Sequence, residues 1–76
     1  MVYEIKDNDL TINDIENICN TDDIIFMPES DYGLGEIHFE NGKYNLYSIP
    51  MYGGKPTLEL IESNAQLVLS ALESWC

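Results

Sequence analysis

The chain has no arginine, only three lysines and one histidine, against fourteen aspartates and glutamates in 76 residues. A surface so poor in cations has little with which to neutralise a phosphate backbone, so direct binding to DNA, RNA or an anionic membrane is discarded. A net charge of −11 favours encounter with basic surfaces instead. Cysteine is nearly as scarce. Cys19 and Cys76 provide neither a disulfide framework nor metal-ligand spacing; Cys19 is expected on a buried helix face and Cys76 in a fraying tail. No apolar run approaches the length of a membrane span, and Met1 to Asp7 lacks the basic start and apolar stretch of a secretory signal. These absences read as a cytoplasmic protein. Repeats and low-complexity tracts are missing too.

What the chain does have is core material. Forty-five per cent of its residues are apolar or aromatic, enough to argue against disorder despite the charge, and the length allows one domain spanning residues 1–76. The clearest local signal is Asn41-Gly42, flanked by Glu36 to Glu40 and Lys43 to Ile49. A two-residue turn with positive φ at both positions fixes the register, so Glu40 faces Lys43, Phe39 faces Tyr44, His38 faces Asn45 and Ile37 faces Leu46. One side of this hairpin then carries Ile37, Phe39, Tyr44 and Leu46 for a core. The other carries Glu36, His38, Glu40, Lys43, Asn45 and Tyr47 for water or a partner.

Around the hairpin, Val2 to Lys6 alternates as a short strand. Thr11 and Asp14 form a capping box for a helix from Ile12 to Cys19, with Leu10 stapled on Ile15. Ile12, Ile15, Ile18 and Cys19 make its apolar stripe. Asp23 to Met27, stopped by Pro28, reads as a strand buried on both faces or an irregular core segment. Residues 29–35 and 50–56 are connections rich in glycine or proline. Leu58, Ile61, Ala65, Val68, Leu72 and Trp75 fit one long helix from Thr57. The preferred division makes 57–62 a third strand with Leu58 and Leu60 inward and starts a helix at Ser63-Asn64-Ala65-Gln66, running to Trp75 with Ala65, Val68, Leu69 and Leu72 on one face. A two-stranded ribbon alone would be marginal. The expected fold is α+β: a small antiparallel sheet, made of the central hairpin 36–49 plus strand 57–62, packed against a C-terminal helix, with a short N-terminal helix.

Signals for chemistry fail on inspection. Asp7-Asn8-Asp9 resembles the opening of a calcium loop, but the sixth position holds Ile12 where glycine is needed and the twelfth holds Ile18 where a bidentate Glu is needed. Glu36, His38 and Glu40 share a strand face, yet no further ligand or base completes a metal or acid–base site. The serines sit in no nucleophile elbow, and Gly53-Gly54-Lys55-Pro56 lacks the spacing and the hydroxyl of a phosphate loop. The chain is read as a non-enzyme with no cofactor and no metal. A small metal-dependent enzyme would require stoichiometric metal at His38.

The stretch from Tyr47 through Pro56, followed by the apolar strand, the capping box and a helix ending in Glu-Ser-Trp, resembles small acidic proteins of phages and mobile elements, some of them anti-CRISPR or other anti-defence proteins. That resemblance covers the C-terminal half and carries no catalytic residue. It implies a stoichiometric inhibitor in the host cytoplasm that occupies a basic nucleic-acid site, such as that of a CRISPR effector, with carboxylates where phosphates would lie. The charge asymmetry is compatible with it, since eleven of the fourteen acids fall in residues 1–40 beside a single lysine. The expected partner is therefore a basic nucleic-acid-binding protein. The expected contact residues are Asp14, Glu16, Asp22, Asp23, Glu29, Asp31, Glu36 and Glu40, with Tyr47 or Tyr52 as aromatic anchors. The alternative is a small adaptor that binds through an apolar patch such as Met27, Met51 and Tyr52, its acidity serving solubility only.

Overall fold

A computed structural model describes residues 1–6, 9–28, 34–50 and 54–74. In chain order the elements are β1 (Val2–Glu4), α1 (Ile12–Asn17), β2 (Ile24–Met27), β3 (Leu34–Glu40), β4 (Lys43–Ile49), β5 (Thr57–Glu62) and α2 (Ala65–Glu73). The strands form one five-stranded sheet in sequence order, so β1 and β5 are its edges. The α+β architecture, the hairpin, the third strand and both helices are as the sequence implies.

The turn chemistry explains the centre. Asn41 and Gly42 adopt φ of 53° and 75°, and the hairpin pairs in the expected register from Glu40 with Lys43 to Ile37 with Leu46. β5 then adds antiparallel to β4, and β2 adds antiparallel to β3. β1 departs from the expected antiparallel pattern: it runs parallel to β2, pairing Val2 with Ile24 and Glu4 with Phe26. A parallel pair needs a crossover, and α1 supplies it.

Both helices lie on one face of the sheet. Ile15 within α1 and Ile18 just beyond its end, with Ala65 and Val68 of α2, share a buried cluster with Ile25, Met27, Ile37, Tyr44 and Leu46. Ile25, Ile37, Leu46 and Leu60 form one continuous cross-strand row of this inner face. Leu10 joins the same cluster, as a staple for α1 would.

Three local expectations shift. The helix stops at Asn17, and Cys19 is exposed, because Ile18 turns to extended backbone and carries the next residue away from the core. β2 is buried on one face only, with Ile25 and Met27 inward and Ile24 and Phe26 half-buried. The N-cap of α2 is Asn64, not Ser63: its side chain accepts the Gln66 N–H at 2.8 Å, shifting the cap by one residue.

Candidate functional site

The uncovered face of the sheet is the surface the fold leaves available. Two cross-strand rows run across all five strands on this side: Val2, Ile24, His38, Asn45 and Ile61, then Glu4, Phe26, Glu36, Tyr47 and Leu58. Cross-strand partners point to the same side, so these are neighbours on one surface. Glu40 and Lys43 extend it toward the hairpin turn. Among the described residues no helix lies over this face. Its flanks are apolar: Leu58 is 45% exposed, Ile61 52% and Val2 63%.

The middle of the face is polar and organised. His38 Nε2 lies 2.7 Å from Glu36 Oε2, and the imidazole stands edge-on to Tyr47 with ring centroids 4.8 Å apart. Asn45 donates its amide to Glu40 Oε2 at 3.2 Å. These contacts fix Glu36, Glu40 and Tyr47 in orientation, so less side-chain freedom is lost when a partner meets them. Among the described residues no three histidine, cysteine, aspartate or glutamate side chains come together to hold a metal ion. No described helix is long and apolar enough to cross a membrane.

The expected contact residues do not gather on one surface. Glu36, Glu40 and Tyr47 share the open face. Asp14 and Glu16 belong to α1, in the helical layer on the opposite side. Asp14 is also engaged within the fold, accepting from the Thr11 N–H and hydroxyl at 2.9 Å each. Asp22 is exposed on the turn before β2, whereas Asp23 is buried. Its carboxylate accepts from the Cys19 N–H at 3.4 Å and lies 3.4 Å from the Met1 ammonium. Burial pushes the Asp23 carboxyl upward, but the Cys19 N–H, the Met1 ammonium and the Asn20 N–H outweigh it and hold the group below the usual carboxylate range. Asp23 is thus a structural acid.

Glu29, Asp31 and Tyr52 lie outside the described residues. So do Met51 and Tyr52 of the alternative apolar patch, and Met27, its remaining member, is 2% exposed in the core. That patch cannot form around Met27. Of the apolar residues well exposed on the open face, Val2, Leu58 and Ile61, Leu58 departs from regular alternation, which turns it inward with Leu60. A bulge between β4 and β5 explains it: Leu46 pairs with Leu60 and Tyr47 with Leu58, so Glu59 is an extra residue. Its carboxylate accepts from Ser48 on the inner side, at 2.8 Å.

No protein-family model, no curated protein and no solved structure matches this chain.

Proposed function

We propose that this is a non-enzymatic binding protein that presents the open face of its sheet to a basic partner. The observation that supports this reading is the one-sided placement of α1 and α2, which leaves Val2, Leu58 and Ile61 exposed on the same surface as Glu4, Glu36, Glu40 and Tyr47. Apolar and aromatic side chains interspersed with carboxylates suit a partner surface on which lysines and arginines surround an apolar centre. The net charge of −11 would speed that encounter and oppose acidic competitors.

The specific form we propose is inhibition of a nucleic-acid-binding host-defence protein in the host cytoplasm, with Glu36 and Glu40 standing where phosphates would lie. The resemblance read from the residues of the C-terminal half suggests this form. A second reading, an adaptor held through apolar contacts with acidity serving solubility, is favoured by the exposure of Leu58 and Ile61.

Competition against DNA for a purified CRISPR effector separates the readings. Mimicry predicts that the protein displaces DNA, that its affinity falls steeply between low and physiological salt, and that Glu36→Lys with Glu40→Lys abolishes displacement. Binding that is insensitive to salt and leaves DNA in place would favour the adaptor. To test the face itself, an alternating lysine–valine peptide titrated into 15N-labelled protein should shift Ile24, His38, Tyr47 and Ile61. Shifts confined to α1 would overturn the assignment of the open face.

A further inference from the structure

On the helical side, an open cleft of about 450 Å³ lies where α1, β4 and the start of α2 meet. Ile12 and Glu16 line it from α1, Tyr44 from β4, and Ser63, Asn64 and Ala65 from the turn into α2. Tyr44 is only 9% exposed, and the cleft is where its buried ring meets open space. Burial first, and then the charge of Glu16, hold its hydroxyl above the usual tyrosine range, so the phenol tip lies within the field of that carboxylate. Among the described residues neither the Tyr44 hydroxyl nor the Glu16 carboxylate has a hydrogen-bond partner or a counter-ion. Asn64 Oδ1 accepts one hydrogen bond, from the Gln66 N–H, and keeps a second lone pair.

We propose that this cleft binds a primary ammonium on an unbranched aliphatic stem, as at the end of a lysine side chain of a protein partner. The ammonium donates to the Glu16 carboxylate, the Tyr44 hydroxyl oxygen and an oxygen of Ser63 or Asn64, while the stem lies along Ile12 and Ala65. An ammonium has three donors that rotate to meet oxygens on separate elements; a guanidinium offers a rigid planar fork suited to a single carboxylate. Among the described residues no lysine lines the cleft to compete, and the chain has no arginine. The site lies in the helical layer and does not depend on the open-face reading.

The test is a titration of 15N-labelled full-length protein with n-butylammonium chloride, with sodium chloride, tetramethylammonium chloride and ethylguanidinium chloride as controls at equal ionic strength. Saturable shifts at Glu16, Ser63, Ala65 and Gln66 are expected with butylammonium, and no saturation with the controls. Glu16→Gln, on an exposed helix position that tolerates it, should weaken binding about 3- to 10-fold. Tyr44→Phe, which keeps the ring, should weaken it by a smaller factor. Linear shifts, equal responses to tetramethylammonium, a preference for ethylguanidinium, or unchanged affinity in Glu16→Gln would each overturn the site. Shifts at His38, Tyr47 and Ile61 with none in the cleft would assign the cation to the open face instead, and would likewise overturn it.

Discussion

Leu58 and Ile61 stand three residues apart in β5 yet project from the same side of the sheet, opposite Tyr47 and Asn45, because Glu59 takes up one residue without a partner in β4. A regular strand would have put them on opposite faces. The bulge therefore sends Leu60 into the core and keeps both of its apolar neighbours on the open face, next to the free edge of the sheet. Replacing Leu58 and Ile61 by serine should cost the fold about 1 kcal/mol each, since each side chain is already about half in water. The same pair of substitutions should lower affinity for the lysine–valine peptide about 10-fold if the apolar flank contributes to binding. Urea denaturation and the peptide titration, run on one sample, separate stability from recognition.

A second expectation concerns the core row beneath that surface. Ile37 is fully buried and faces Ile25 on one side and Leu46 on the other. Ile37→Ala removes methyl groups from a fully buried site between β2 and β4 within the core cluster, and should destabilise the domain by about 2–5 kcal/mol. For a chain this short that is a large share of its stability, and the variant should unfold at markedly lower urea. A midpoint within error of the wild type would mean that the inner face is not the core.

The sequence made some of this legible and hid the rest for identifiable reasons. Asn41-Gly42 specified the hairpin register because both residues accept positive φ, and Thr11 with Asp14 marked the start of α1 by a reciprocal pair of hydrogen bonds. The parallel pairing of β1 was missed although strand, helix and strand follow one another within residues 2–27, the pattern of a crossover unit. The candidate site was legible only in part. Charge density along the chain carries no information about faces, so it grouped Asp14 and Glu16 with Glu36 and Glu40, which the sheet separates. Period-two alternation did place Glu36, Glu40 and Tyr47 together, and it failed at Leu58, expected inward with Leu60, because a bulge breaks the period.

The separation of Asp14 from the open face gives a third prediction. Its carboxylate holds the Thr11 N–H and hydroxyl, and its own N–H donates to the Thr11 hydroxyl at 3.3 Å. Asp14→Ala should therefore cost about 1 kcal/mol through the lost cap while leaving affinity for a basic peptide unchanged within about twofold. Glu36→Gln should do the reverse, sparing stability and reducing affinity. Equal losses of binding in the two variants would restore a recognition surface that wraps around the molecule.

Asp23 sets the behaviour in acid. Its folded-state carboxyl titrates below the usual range, so it binds a proton less readily folded than unfolded. Its contribution to stability is fully present above the unfolded carboxylate value of about 4 and is lost as pH falls through the lower folded value. Asp23→Asn should lower the urea midpoint at pH 7, with the gap to wild type closing below about pH 4. A counter-trend accompanies it, because protonation of the other acids reduces the self-repulsion of a chain carrying −11. Wild type and variant share that relief, so the difference between their midpoints isolates Asp23. A gap that persists undiminished in acid would show that the lost hydrogen-bond geometry matters, and the charge does not.

At the alkaline end the responsible group is Tyr44. Burial, then the charges of Glu16 and Cys19, raise its folded value, so the unfolded chain releases the phenolic proton first. Folding stability must fall as pH rises above about 10, the ordinary tyrosine value, because ionisation favours the unfolded state. Tyr44→Phe keeps the edge-to-face contact with Phe39, whose ring centroid lies 5.5 Å away, and removes the ionisable hydroxyl. The variant should therefore lose less stability than wild type between about pH 9 and 11, measured by urea midpoint. Every other side chain is common to the two proteins and cancels in the comparison. Parallel curves for the two proteins would place the Tyr44 hydroxyl in free solvent, and with it would go the buried acceptor on which the ammonium cleft depends.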